Sequence, residues 1–292
     1  MNGFSASEAA LEGFRLTRER PGTIVAWSGI YAVSMLGIGE IMFSSLGTEA
    51  LQIARKGHFS PEDAEIIATK LAHSVPAFLL ILLLAVILVS VITAGIFRLV
   101  LRPTEKGFAH LRLGGDEMRL TLVNLMLFGI GMLCLVLGFL AIAAAEQAGS
   151  APAFIAAPIV AAVTIWLGVR LSLATPMTFH TRRISLAAAW ELTRGRFWPL
   201  LGMIFLAVVF YILIWVLVTV IYFVLLQLGG GPDAVAHGNT VAAIAIGAAA
   251  FVLQILLSVV QLVMIYAPFA VGYQQLHGDQ PANPLRIHPE HG

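Results

Sequence analysis

Of 292 residues, 59% are apolar and only 11% are charged, and the mean hydropathy is +0.91. Soluble globular chains carry about 25% charged residues, so a water-soluble domain is excluded, and a net charge of +1 gives no footing for a nucleic-acid partner. The single cysteine, Cys134, lies in an apolar run and forms no intrachain disulfide.

Residues 1–22 are not a signal peptide, because Glu8, Glu12, Arg15, Arg18, Glu19 and Arg20 interrupt any apolar centre. Ser5 followed by Glu8 is a capping-box pattern, and Phe4, Leu11 and Phe14 share a helical face. The pattern predicts an amphipathic helix on the membrane surface with its arginines among the headgroups. Residues 23–276 form the membrane domain, with apolar runs at 23–46, 75–101, 118–145, 153–181, 199–228 and 240–272. Each is long enough to cross a hydrocarbon core of about 30 Å. The fold class is therefore all-α, a polytopic six-helix transmembrane bundle with amphipathic interfacial helices.

Fourteen of the 17 lysines and arginines fall in the N-terminal tail, the second and fourth loop regions and the C-terminal tail. The other three, Arg55, Lys56 and Lys70, fall in the first loop. The positive-inside rule then predicts both termini on the cytoplasmic side. In the first loop, Ser60-Pro61-Glu62-Asp63 is a helix start, with Ala64, Ile67, Ala68 and Leu71 on one face along the outer surface. Thr48 to Lys56 continues the first span as helix, closed by Gly57. His58 and His73 lack a third ligand, so no metal site is implied.

Arg102-Pro103 ends the second span, Phe108 and Leu111 belong to a short amphipathic piece, and Asp116 is the expected N-cap of the third span. Gly114-Gly115 is not a phosphate loop, because it lacks the strand and the remaining motif. Spans three and four form a tight hairpin, and Gly229 to Asp233 is a flexible turn. Residues 277–292, with three prolines, form a disordered cytoplasmic tail.

Phe14-Arg-Leu-Thr-Arg-Glu-Arg-Pro21 and Trp190-Glu-Leu-Thr-Arg-Gly-Arg-Phe197 match around Leu-Thr-Arg-x-Arg, and the approach to span three is a weaker cousin. This predicts three repeated units, each a cytoplasmic surface helix plus a transmembrane hairpin, that surround the bundle with a collar of three helices. The interfacial lipid contacts expected from it are Arg18, Arg20, Arg182, Arg183, Arg194, Arg196 and Trp198. Trp27, Tyr266 and Tyr273 complete an aromatic belt with Trp198.

Glu40 and Arg170 are the polar candidates at membrane depth, where an ionisable group costs at least about 2.5–3.5 kcal/mol. Glu40 lies roughly 26 Å along span one and Arg170 roughly 17 Å from the cytoplasmic end of span four, so a direct pair must bridge about 10 Å of depth. Pro176 supplies a kink in span four, and Pro268 a second one in span six. Three roles stand open for Arg170: a structural bond to freed carbonyls or a carboxylate, snorkelling to lipid phosphates, or a polar pathway. Asn124, Gln254 and Gln261 are expected to bond between helices, and Gly131, Gly138, Ala243 and Gly247 to mark close contacts.

The sequence contains no nucleotide loop, dinucleotide fingerprint, H-E-x-x-H or G-x-S-x-G. No catalytic set, metal or cofactor is implied, and His180 beside Arg182 and Arg183 is a weak headgroup contact.

The run R-L-S-L-A-T-P-M from Arg170, followed by S-L-A-A-A-W-E-L-T-R-G-R-F-W-P-L-L-G from Ser185, resembles the membrane domain fused to some bacterial glycerophosphoryl diester phosphodiesterases, and related stand-alone inner-membrane proteins of unknown function. Arg170, Pro176, Trp190, Gly195 and Trp198 occupy the places of that pattern. The resemblance implies this architecture in a bacterial inner membrane. No phosphodiesterase domain is expected after the sixth span, so no hydrolase activity carries over. The expected function is a non-enzymatic scaffold or a module for anionic lipid headgroups or a protein partner, with a small transporter or lipid-handling protein as the alternative. An intramembrane enzyme acting on headgroups near His180 is a third.

Overall fold

A computed structural model describes residues 4–47, 53, 60–105, 108–147, 149–228 and 240–278. Among them no strand occurs. The helices are α1 (Ala6–Glu19), α2 (Pro21–Met42, ending in a π-turn over Phe43–Gly47), α3 (Pro61–His73), α4 (Val75–Leu101), α5 (Gly115–Gln147), α6 (Ser150–Leu171), α7 (Ala174–Thr181), α8 (Leu186–Leu192), α9 (Phe197–Leu228) and α10 (Thr240–Gly278). Six helical segments are long and apolar enough to cross a membrane: Pro21–Ser45, Val75–Leu101, Gly115–Gln147, Phe154–Thr181, Phe197–Leu225 and Ile244–Gly278. The chain is an all-helical, multi-pass membrane protein. Its many exposed leucines, valines and phenylalanines are what a lipid-facing surface requires, since helices satisfy their own backbone groups there.

The last helix is the centre of the bundle. Val259, Val263, Ala267 and Ala270 of α10 are fully buried in a core shared with Leu16, Trp27, Ile92 and Phe97. Tyr273 and Leu276 are buried in a second core with Ala9, Leu200 and Met203. Pro268 does not interrupt α10, which runs unbroken from Thr240 to Gly278. Pro176 does interrupt span four. Without its N–H it cannot bond the Ser172 carbonyl four residues back, and the helix breaks at Ser172–Leu173 before resuming as α7.

The N-terminal helix differs most from its predicted place. Its buried face is Ala9, Ala10, Gly13 and Leu16, whereas Leu11 is 48% exposed. This face docks lengthwise on α10 and α9: the Ser5 N–H donates to Gln275 Oε1 at 3.1 Å, and the Phe14 ring meets Phe210 edge-on at 5.2 Å. Ser5 caps the Glu8 N–H at 3.3 Å, but its own N–H goes to Gln275, so only half of the capping box forms. Small residues let helix backbones approach closely in membranes, and Ala9 and Gly13 provide that spacing.

Elsewhere the local signals hold. Ser60 and Asp63 form a reciprocal capping box at the start of α3. Ala64, Ala68 and Leu71 on that helix are exposed. Span two ends at Leu101, before Pro103. Spans three and four form the expected hairpin, turning at Gly149, whose φ of +128° favours glycine, with Gly138 against Val160. Asn124 donates to Ser90 Oγ at 2.8 Å between α5 and α4, an intramembrane bond worth about 0.6 kcal/mol. Gly131 and Gly247 have no close neighbour, and no side-chain hydrogen bond of Gln254 or Gln261 occurs among the described residues.

The repeat is incomplete. Phe14 meets an aromatic ring on α9, and Trp190 meets Trp166 on α6, at 5.2 and 5.0 Å. Thr17 and Thr193 bond back to the carbonyls four residues earlier, at 2.8 and 3.1 Å. The approach to span three, however, is a 3₁₀ turn over Phe108–His110 instead of an α-helix. Of the three approaches compared, only those to spans one and five are α-helical, and no collar of three α-helices forms among the described residues. The continuation at Thr48 to Lys56 falls almost wholly outside the described residues; His58, the Gly229–Asp233 turn and residues 279–292 lie outside them too.

Candidate functional site: the arginine-rich end of the bundle

One end of the bundle gathers the end of α4, the starts of α5 and α9, the ends of α7 and α10, and α8. Gln274 Nε2 donates to the Val100 carbonyl at 3.0 Å, tying α10 to α4 there. The polar machinery of this end is an ion-pair network that links three spans. Arg98, only 3% exposed, pairs with Glu117 and donates from Nη1 to the His110 carbonyl at 2.9 Å. Arg102 Nη1 contacts Asp116 at 3.1 Å, and its Nη2 donates to the Phe179 carbonyl at 2.7 Å. Both guanidiniums lie over the Phe179 ring, at 5.7 and 4.6 Å. Asp116 also holds Arg119 at 2.9 Å and Arg182 at 3.8 Å. Glu105 completes the set with Arg98 at 3.7 Å and Arg102 at 3.5 Å. A polar cleft of about 370 Å³ opens beside these groups.

Asp116 is thus not the N-cap of span three. It lies inside the first turn of α5, and the Glu117 carboxylate accepts the Gly114 N–H at 3.0 Å in its place. The loop before it is held in an uncommon conformation. Ala109 and His110 both have positive φ, 47° and 58°, which costs a non-glycine residue roughly 1–3 kcal/mol unless its surroundings fix it. Two bonds do so: Trp27 Nε1 to the Ala109 carbonyl at 2.8 Å, and Arg98 to the His110 carbonyl. Burial of the His110 ring, with Arg20 and Arg98 acting in the same direction, holds its pKa below the usual histidine range. The ring is accordingly neutral at pH 7.

The two intramembrane candidates are not brought together. Glu40 is exposed near the far end of α2, and its side chain makes no ion pair or hydrogen bond among the described residues. The Arg170 guanidinium lies against two indoles, 5.7 Å from the Trp166 centroid and 5.1 Å from that of Trp190. Its Nη1 reaches the Trp190 carbonyl at 3.4 Å, and its Nε is buried without a partner. The Thr193 hydroxyl donates to the Arg170 carbonyl at 3.0 Å. Arg170 therefore lies level with the turn that starts span five, instead of deep within span four, because the helix break at Ser172–Leu173 ends the straight run soon after it.

Arg18, Arg20, Arg183 and Arg194 are exposed, Arg196 is half-exposed, and none of the five has an ion pair among the described residues. Trp198 is 77% exposed. Trp27 and Tyr273 are not belt residues. They are fully buried in the two cores, and Tyr266 packs against Phe97 and Phe269. The His180 ring is tilted against Tyr273 and His277, at 5.4 and 5.6 Å between centroids, and those two rings stack on each other. No cluster of metal ligands exists among the described residues.

A separate cavity of about 410 Å³ lies within the bundle between α5, α6, α9 and α10. Leu127, Ile130, Leu167 and Phe269 line it, with Asn124 and Tyr266 as polar edges. Neither Glu40 nor Arg170 faces it. Compared with protein families, curated proteins and solved structures, the chain matches none.

Proposed function

We propose that the protein is a non-enzymatic membrane scaffold whose arginine-rich end, on the cytoplasmic side, binds anionic phospholipid headgroups. The observation that carries this is the group of exposed or half-exposed arginines without acidic partners, Arg18, Arg20, Arg183, Arg194 and Arg196, together with the exposed indole of Trp198. Within the ion-pair network of the same end, Glu105, Asp116 and Glu117 are all held by Arg98, Arg102, Arg119 or Arg182 instead of by those five arginines. The bare arginines thus have their charge available for lipid. The resemblance to the membrane domain of glycerophosphoryl diester phosphodiesterases supports a bacterial inner membrane as the location.

A basic residue near an anionic surface contributes about 1 kcal/mol. Combining Arg18→Gln, Arg20→Gln, Arg194→Gln and Arg196→Gln is therefore expected to abolish most of the extra thermal stability that phosphatidylglycerol nanodiscs give over phosphatidylcholine ones. Equal lipid dependence in wild type and variant would refute the assignment.

The intramembrane cavity favours a second reading, a small transporter or lipid-handling protein, because preformed ligand sites are concave, mostly apolar and edged by a few polar groups. Its wall includes Cys134, the single cysteine, so the reading is testable with a small aqueous methanethiosulfonate reagent. A transport path requires labelling from at least one side of a vesicle. Complete protection from both sides removes it.

A further inference from the structure

We propose that Arg170, with the indoles of Trp166 and Trp190, forms a site for the phosphate of a single phospholipid from the leaflet at the arginine-rich end. The proposal rests on the lipid-binding reading for its ligand class but uses none of the four arginines that test that reading.

A guanidinium in an apolar helix needs an anion, and here the protein provides none. No carboxylate lies within 4.0 Å of Arg170 among the described residues, and its one hydrogen bond is the 3.4 Å contact to a backbone carbonyl. Arg98, the other arginine within a span that packs into the bundle, shows the contrast, with Glu117 against its guanidinium. Arg170 has two ring faces in place of an acid. Cation–π contacts attract a guanidinium without neutralising it. Nη2 makes no hydrogen bond among the described residues and is not an enclosed atom, so that edge of the fork is open. With Nε enclosed, the terminal nitrogens are the donors left, and a phosphodiester can accept an N–H bond from each.

The site is preformed. The two indoles meet edge-to-face at 5.0 Å and 88°, and the Thr193 hydroxyl donates to the Arg170 carbonyl at 3.0 Å, with the Ala189 and Trp190 carbonyls within reach of the same proton. Ser185 caps α8 through the Ala188 N–H at 3.2 Å, and Gly195, at φ +77°, closes it. The turn thus holds Trp190 against Arg170.

Native mass spectrometry of detergent-purified protein tests this directly. Wild type is expected to retain one phospholipid more than Arg170→Gln, with phosphatidylglycerol or phosphatidylethanolamine alike, since both carry the phosphodiester. Arg170→Lys keeps the charge but not the fork and is expected to retain that lipid at reduced occupancy. Trp166→Phe and Trp190→Phe guard against a misfolded Arg170→Gln: each is expected to lower the occupancy, and unchanged occupancy in both overturns the site. Millimolar inorganic phosphate is expected not to displace the lipid; displacement would make this a free-phosphate site and overturn the lipid source. The four-arginine variant is expected to keep this lipid. An equal lipid count in wild type and Arg170→Gln refutes the proposal while leaving the scaffold reading in place.

Discussion

Glu117→Leu is expected to lower the stability of the bundle by about 3–5 kcal/mol, the cost of leaving a buried charge without its partner. Arg98 is 3% exposed, and the other acid near it, Glu105, stands 3.7 Å from its Nε, too far for a strong hydrogen bond. Without Glu117 the guanidinium must open a path to water or abandon the His110 carbonyl, and the turn at Ala109 and His110 then loses one of the two bonds that hold its positive φ angles. Arg98→Met combined with Glu117→Leu removes both charges and is expected to recover part of the loss. Recovery stays incomplete because the His110 carbonyl remains without its donor, at about 1–3 kcal/mol. Thermal melts of the three proteins in one detergent decide the matter. A Glu117→Leu melt superimposable on wild type would mean that the pair contributes nothing to stability.

The network was hidden in the sequence, whereas the spans were not. Runs of apolar residues identify a membrane crossing without reference to any partner, and all six crossings lie within a few residues of where hydropathy puts them. Ser60 to Asp63 was equally legible, because a capping box is completed within four residues. Arg98 and Glu117 are 19 positions apart, and they meet only because two non-glycine residues take left-handed backbone angles. One signal was available: Arg98 lies in the last turn of an apolar span, as open to the question of a partner as Arg170, with Asp116-Glu117 the nearest acidic pair after a Gly-Gly break. Arg170 is legible as an arginine in an apolar run, but its contact with Thr193 is not, because the helix breaks at Ser172–Leu173 and the turn before span five is 23 residues away in sequence.

The N-terminal helix packs through a face other than its most apolar one, and Gly13 lies at the centre of that contact. Weighting large apolar residues selects Phe4, Leu11 and Phe14 as the face, yet packing between helices in a membrane is set by where backbones can approach. A Cβ at Gly13 would lie 2.7 Å from Met264 Sδ and 2.9 Å from Met264 Cα. The sulfur can swing aside, but the backbone atom cannot. Gly13→Leu is therefore expected to push α1 off α10, expose the Leu16 and Ala9 positions, and destabilise by about 1–3 kcal/mol or more, as overpacking does. Gly13→Ala gains up to about 1 kcal/mol of helix propensity against the same clash, so its net effect is smaller. Gly29→Ala in α2 is the control, because nothing lies within 4 Å of its added methyl. Trypsin adds a readout that a melt lacks: Arg15 and Arg18 are exposed side chains on a docked helix, so cleavage there is limited by local unfolding. Undocking by Gly13→Leu should accelerate that cleavage, while Gly29→Ala leaves it unchanged. If Gly13→Leu melts and resists trypsin as wild type does, α1 is not held by its small-residue face, and the surface-lying helix expected from Phe4, Leu11 and Phe14 is the better description.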